Sequence, residues 1–380
     1  MKSTKPVYLD CNATTPLEVE VREAVIQFMS EDFGNSGSRT HEYGAKAKRA
    51  VLRAREEVAR LVQSDPDEIV FTSGATESNN LAILGLARHG HETGRKHIVS
   101  TMIEHKAVLE PLEFLATQGF EVTLVPPTEG GWVDPSALRD ALREDTLLVS
   151  VMQANNETGV IQPMSEFLNV LKDHPAYFHT DAAQGFGKLT SSLNHTRIDL
   201  TSISGHKIFG PKGIGALVVR RREFKRVPLT PLFYGGGQER GLRPGTLPVA
   251  LIVGLGLASE LAMKYAEERN QKCLEYRRKV LGALGSLSPV FNGDPERTLP
   301  HVINIAFPGV DSEALMVAVK EQIAISNGSA CTSQSYKPSH VLKAMGLPEA
   351  DIKGAVRISW CHLTQDADWS EVANIVRRIM

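Results

Sequence analysis

Lys207 stands in Ser204-Gly205-His206-Lys207, after the alternating segment Asp199-Leu-Thr-Ser-Ile-Ser204 and before the glycine-punctuated Ile208-Phe-Gly-Pro-Lys-Gly-Ile-Gly-Ala216. A lysine reached from a strand end can condense with an aldehyde, the chemistry of a pyridoxal 5'-phosphate Schiff base. Ser204 and His206 beside it can hydrogen-bond a phosphate. Thr72-Ser-Gly-Ala-Thr-Glu-Ser-Asn-Asn80 offers small residues where a strand turns into a helix, and unpaired N–H groups there make an anion cradle. Ser73 or Thr76 would equally serve as a plain N-cap. Phe178-His-Thr-Asp181-Ala-Ala-Gln184 sets a carboxylate at another strand end, where it could keep a pyridine nitrogen protonated, with Gln184 near the ring's phenolic oxygen. His105, in Thr101-Met-Ile-Glu-His105-Lys, could stack on such a ring or carry a proton.

A second reactive group lies in Ser326-Asn-Gly-Ser-Ala-Cys331-Thr-Ser-Gln-Ser335. Nearly every neighbour is small or polar, so Cys331 has the setting of an exposed thiol in a mobile loop, able to ionise and attack. The other cysteines lack that setting: Cys11 and Cys361 adjoin apolar segments, and Cys273 falls in a charged helix.

The elements that must position these groups are legible as a strand–helix alternation. Strands are predicted over Glu68–Thr72, His97–Thr101, Glu121–Val125, Leu147–Met152, Tyr177–Thr180, Leu200–Ser204 and Gly215–Arg220. Helices are predicted over Glu77–Arg88, Lys106–Gln118, Pro135–Arg143 and Ser165–His174. That alternation argues for an α/β fold with a mostly parallel sheet covered on both faces, whose ligands sit beyond the carboxyl ends of the strands. Tyr43–Val62 reads as a surface amphipathic helix. A long helical stretch from Pro248 to about Leu287 is followed by a strand over Val302–Phe307, a helix over Ser312–Lys320 and a last helix from about Asp368. The expected division is a large domain over 16–259 and a smaller α+β domain from 1–15 and 260–380, which carries the Cys331 loop.

Composition sets the outer bounds. The 380 residues are 42% hydrophobic and 23% charged, with a formal charge of −2, ordinary values for a soluble globular chain. Nothing there favours direct binding of nucleic acid or an anionic membrane. The basic run Arg220-Arg-Arg-Glu-Phe-Lys-Arg226 reads as a solvated loop. The first ten residues lack an apolar signal core, and Leu247–Met263 is too short and interrupted to span a bilayer. Four cysteines without a CxxC pair point to neither a disulfide framework nor a metal site, so a reducing cytoplasm is expected.

Taken in order, these motifs resemble the group I (NifS/IscS-type) cysteine desulfurases of the class V aminotransferase family. The carriers are Tyr8-Leu-Asp-Cys-Asn-Ala-Thr-Thr-Pro16, Phe71-Thr-Ser-Gly-Ala-Thr-Glu-Ser78, Glu104-His-Lys-Ala-Val108, Asn155-Asn-Glu-Thr-Gly159, Ser204-Gly-His-Lys207, Arg243-Pro-Gly-Thr246 and Gly328-Ser-Ala-Cys-Thr332. The resemblance implies the type I fold of pyridoxal-phosphate transferases and an enzyme that converts L-cysteine to L-alanine, leaving a persulfide on Cys331. It implies that Lys207 binds the cofactor and then moves the Cα proton, with His105 stacked on the ring as an acid–base partner. By the same resemblance Asp181 pairs with the pyridinium and Gln184 with the phenolate, while Ala75, Thr76, Ser204 and His206 hold the phosphate. Thr246 would reach the phosphate of the partner subunit, which implies a homodimer. Asn156 and Arg357 would take the substrate carboxylate, the latter with a bidentate fork.

The resemblance also implies a sulfur-acceptor protein, in iron–sulfur cluster assembly, tRNA thiolation or DNA phosphorothioation. Leu9–Pro16 and Ser359-Trp-Cys-His-Leu363 are similar to desulfurases dedicated to phosphorothioation. Two other classes share part of the pattern. A selenocysteine lyase or another class V aminotransferase would keep Lys207 and Asp181 without depending on Cys331, whereas a non-enzymatic sulfur carrier would need Cys331 alone.

Overall fold

Strands rich in Val, Ile and Leu without charged interruptions pair into sheets buried on both faces. The computed structural model describes residues 5–222, 224–328 and 338–380. Its strands are β1 (Val7–Tyr8), β2 (Ile69–Thr72), β3 (His97–Thr101), β4 (Glu121–Val125), β5 (Thr146–Ser150), β6 (Tyr177–Asp181), β7 (Leu200–Ser204), β8 (Gly215–Val219), β9 (Val290–Phe291), β10 (Val302–Ala306), β11 (Ile323–Ala324) and β12 (Val356–Ser359). One seven-stranded sheet runs in the order β2-β8-β7-β6-β5-β3-β4. Only β8 is antiparallel to its neighbours, so the expected mostly parallel sheet is observed. Every residue of β2, β3, β5, β7 and β8 is buried, while the edge strand β4 is buried only at Val125.

Helices cover both faces. Val19–Ser30, Glu42–Val62 and Val249–Lys264 close over Phe71, Ile203, Ala216 and Val218. Ala75–Leu84 and Lys106–Thr117 close over Val70, Ile98, Leu148 and Leu217 on the opposite face. The helices expected over Pro135–Arg143 and Ser165–His174 end early, at Asp140 and Val170, and three further expectations change. The helix Glu42–Val62 is not a surface element: Ala47, Val51, Ala54, Val58 and Leu61 form a buried stripe at helical spacing. Gly256 lets the neighbouring helix approach that stripe, since a Cβ there would come within 2.5 Å of the Ala54 Cα. The helix at the cradle ends at Leu84 rather than continuing to Arg88, because the Gly85 carbonyl is taken by Thr230 N–H at 2.8 Å. The long C-terminal stretch breaks at Tyr265 into Val249–Lys264 and Ala266–Leu284. Its composition turns from apolar to charged there, and the second helix buries Cys273, Tyr276, Val280 and Leu284 in a different core. Among the described residues no single helix is long and apolar enough to cross a membrane.

That second core belongs to the antiparallel sheet β12-β10-β9. The N-terminal segment enters it through Leu9, and β1 pairs in parallel with β11, Val7 opposite Ile323 and Tyr8 opposite Ala324. The chain's two ends therefore meet, and the segment leaving β1 passes toward the large sheet.

A buried ion pair anchors the first strand of that sheet. Arg55 meets Glu239 through both guanidinium NH groups, at 2.9 and 2.5 Å, and Glu239 also accepts from the Phe71 N–H at 2.7 Å. With side chains 10% and 2% exposed, neither partner can fall back on water. Glu239→Ala should therefore destabilise the fold by about 3–5 kcal/mol, the usual cost of stranding one buried charge. Urea denaturation would measure it; a loss below about 1 kcal/mol, typical of an exposed pair, would show the site to be hydrated.

Candidate active site

The carboxyl ends of β2, β3, β5, β6 and β7 open into a cavity of about 530 Å³. Ten of the twelve residues singled out in the sequence line it: Ala75, Thr76, His105, Asn156, Asp181, Gln184, Ser204, His206, Lys207 and Arg357. Thr246 does not; it is exposed and lies outside the cavity of its own chain. Cys331 lies outside the described residues.

Lys207 ends a tight turn, Gly205–Lys207, directly after β7. Its Nζ donates to the main-chain carbonyls of Asn12 and, at 2.8 Å, Ala13. His206 sits beside it, its Nδ1 3.2 Å from the Thr14 hydroxyl. Burial first, and then the positive neighbour Lys207, pushes His206 down to about 4, so at neutral pH the ring is uncharged. His105 caps the helix Lys106–Thr117 with Nδ1, which accepts from Ala107 N–H at 3.1 Å. A neutral ring then carries its proton on Nε2. Burial holds His105 below its ordinary value, Asp181 opposes that, and Lys207 adds to it.

On the far side Asp181 accepts from Asn79 Nδ2 at 2.7 Å and from Ala183 N–H at 2.9 Å, which fixes the carboxylate at the strand end. The helix Ala75–Leu84 aims its N-terminus here, and its first intrahelical bond is Ser78 N–H to the Gly74 carbonyl. The N–H groups of Ala75, Thr76 and Glu77 precede that bond, so they are the ones a helix start offers to an anion. Gly74 has φ 152°, a conformation that suits glycine. The buried oxygens Asn12 Oδ1, Asn79 Oδ1 and Gln184 Oε1 have no donor from the described residues. A lysine able to condense with an aldehyde, a strand-end carboxylate, an anion cradle and orphaned amides together fit a phosphorylated pyridine aldehyde.

Arg357, on β12, reaches the cavity from the other core. Its Nη2 donates to Asp10 Oδ1 at 2.6 Å and Ser326 Oγ at 3.0 Å, and Nη1 to the Asn156 carbonyl at 2.8 Å. Its Nε is buried with no acceptor from the described residues. The side chain is 4% exposed, so an incoming carboxylate would find a desolvated, oriented guanidinium. Reading residue types did not single out Asp10 or Asn12; only their place in the motif Tyr8–Pro16 signalled them.

Glu104 was also passed over as a group with its own chemistry. It is wholly buried behind His105, accepting from Thr101 Oγ1 at 2.7 Å and Met152 N–H at 2.8 Å. Burial pushes its carboxyl up to about 8. The native state therefore keeps a proton that the unfolded chain, titrating near 4.5, has released. This contribution to stability is complete below about pH 4.5 and is lost as the pH rises to about 8. Glu104→Gln should remove that slope, up to about 1.4 kcal/mol per pH unit. Denaturation midpoints between pH 5 and 8 that fall in parallel for both proteins would show Glu104 to be ionised in the fold.

The chain matches the family described as aminotransferase class-V over residues 7–372. The cysteine desulfurase IscS of Vesicomyosocius okutanii is 46% identical over 98% of this chain and 92% of its own. Among solved structures, DndA from Streptomyces lividans is 50% identical with a TM-score of 0.82, over 92% of this chain and 98% of that one. SspA in complex with cysteine is 39% identical, also with a TM-score of 0.82, over 93% of this chain and 98% of that one. With the carboxyl-end cavity and its lysine, these likenesses carry one conclusion: the chain belongs to the aminotransferase class-V family and, within it, to the cysteine desulfurases.

Proposed function

We propose that this protein is a pyridoxal-5'-phosphate-dependent desulfurase that takes sulfur from L-cysteine, leaves L-alanine and carries the sulfur on Cys331. The observation that carries the reading is the convergence of Lys207, His105, Asp181 and Arg357 on one cavity at the carboxyl ends of the strands. Bound there, the cofactor would supply an aldehyde for amine condensation and a protonated ring that withdraws electrons. Ala75, Thr76, Ser204 and His206 would hold its phosphate, Asp181 its ring nitrogen, Gln184 its phenolic oxygen, and His105 its ring face. Arg357 and Asn156 would bind the substrate carboxylate and so orient the Cα–H bond toward Lys207. Lys207 takes that proton at Nζ, while His105, neutral with its proton on Nε2, is available to donate. The Cys331 thiolate attacks the substrate sulfur, the bond from sulfur to Cβ breaks, and its electron pair returns to carbon, which takes up a proton.

By the family resemblance Thr246 reaches the phosphate site of a partner subunit and the functional unit is a homodimer; its exposure on its own chain supports that reading. The persulfide passes to an acceptor protein, and the segments Leu9–Pro16 and Ser359–Leu363 carry the resemblance to the phosphorothioation branch. The division into 16–259 and 1–15 with 260–380 is part of the same proposal; the separate core around β10 supports it.

The decisive experiment compares wild type, Lys207→Ala and Cys331→Ser with sulfur-labelled cysteine. Lys207→Ala should lose alanine production by several orders of magnitude. Cys331→Ser should still bind cysteine but hold no transferable label. Normal turnover by Lys207→Ala, or label on Cys11, Cys273 or Cys361 in place of Cys331, would overturn the proposal. Arg357→Ala should lower kcat/KM for cysteine roughly 10- to 150-fold, the loss of one charge-assisted bond, and Arg357→Lys should not restore it because lysine lacks the fork. Unchanged kinetics in Arg357→Ala would assign the carboxylate to another group.

A further inference from the structure

A second cavity, of about 90 Å³, shares no lining residue with the active-site cavity, and the proposed reaction does not use it. All three cysteines that the structure describes line it, together with Lys188 and His301. Cys11 and Cys361 pack with Phe209 into one small buried cluster, at 2% and 7% exposure. Their backbones run side by side: Asp10 bridges Ser359, Cys11 N–H donates to the Ser359 carbonyl at 3.1 Å, and Asn12 N–H to the Ser359 hydroxyl at 2.9 Å. The Thr364 hydroxyl reaches Cys361 Sγ at 3.6 Å.

The three thiols are not equivalent. Cys361 is held below the ordinary thiol value, first by the hydrogen bond from Cys11 and then by Thr364, against the effect of burial. Cys11 is pushed up by the same bond, and burial lifts Cys273 to about 12. Lys188 is the local cation. Its Nζ stands 3.4 Å from His301 Nε2; burial pushes the amine down to about 8, and the neighbouring cysteines oppose that shift. A thiol biased toward its thiolate, a second thiol in contact and a cavity to admit a small oxidant together make an oxidisable pair.

We infer that Cys11 and Cys361 form a peroxide-responsive dithiol site, with Cys361 as the attacking thiolate and Cys11 as the resolving thiol. In the first step the Cys361 thiolate attacks one oxygen of hydrogen peroxide. The O–O bond breaks, hydroxide leaves, and Cys361 becomes a sulfenic acid. Cys11 sulfur then displaces the sulfenic oxygen, which leaves as water with the Cys11 proton, and a Cys11–Cys361 disulfide forms. Two electrons pass from the thiol pair to the peroxide. The new bond would pin the segment that supplies the Asn12 and Ala13 carbonyls to Lys207 against the chain leaving β12.

The test uses the full-length holoenzyme, both wild type and Cys331→Ala, so that oxidation of Cys331 is scored apart. After graded hydrogen peroxide and alkylation, a digest without reductant should contain a Cys11–Cys361 cross-linked peptide. It should lack two hydrogen masses, and dithiothreitol should reverse it. In Cys11→Ser the same treatment should leave Cys361 reactive toward dimedone, a trap for sulfenic acid. A cross-link that includes Cys273, dimedone on Cys11, or no change at doses that fully oxidise a small free thiol would overturn the assignment. The wild-type peptide map decides the matter even if Cys11→Ser folds poorly.

Discussion

Lys207 is held by carbonyls from near the start of the chain. Its amine reaches the main-chain oxygens of Asn12 and Ala13, and Asn12 also accepts from Gln184 at 3.1 Å and donates to the Asn156 carbonyl at 3.3 Å. One residue earlier in that segment than Cys11, Asp10 takes the Arg357 guanidinium. Residues 10 to 13 therefore touch groups from both cores, which also meet directly where Arg357 reaches the Asn156 carbonyl and Asn304 the Glu157 carbonyl. They place the lysine after the large sheet and the arginine of the small one against the same short stretch of backbone.

The sheet supplies the other half of the constraint. Parallel strands deliver their carboxyl ends to one edge, and the backbone there changes direction, exposing side chains and helix N-termini that the sheet interior would bury. Burial then sets the charge states. The imidazoles of His105 and His206 are kept neutral, and the Glu104 carboxyl is pushed toward its acid form. Within the sheet, His179 is driven down to about 3 by burial and bonds to Ser150 and Ser202 at 2.8 and 2.9 Å. Such a histidine is a satisfied core residue, whereas His105 lies past the end of its strand, caps a helix and lines the cavity.

Strand by strand, the large sheet was legible in the sequence because buried parallel strands are short apolar runs with punctuated ends. His97–Thr101, Glu121–Val125 and Leu200–Ser204 have the bounds that their patterns predict. Helices were less legible where packing overrides pattern. Glu42–Val62 shows charge on most of its turns, yet a narrow small-residue stripe lets another helix lie close against it. The break at Tyr265 reflects two helices serving two cores, which periodicity along one continuous stretch does not reveal.

The sequence alone determined which side chains could do chemistry, since residue type and position at a strand end are local properties. Lys207, Asp181, His105 and the cradle at Ala75–Thr76 follow from that reading. What only the tertiary structure decided is who meets whom across hundreds of residues. Asp10 pairs with Arg357, Asn12 with Lys207 and Gln184, and Cys11 with Cys361. Each of those contacts depends on the two chain ends closing beside the large sheet, and no short-range pattern records that closure.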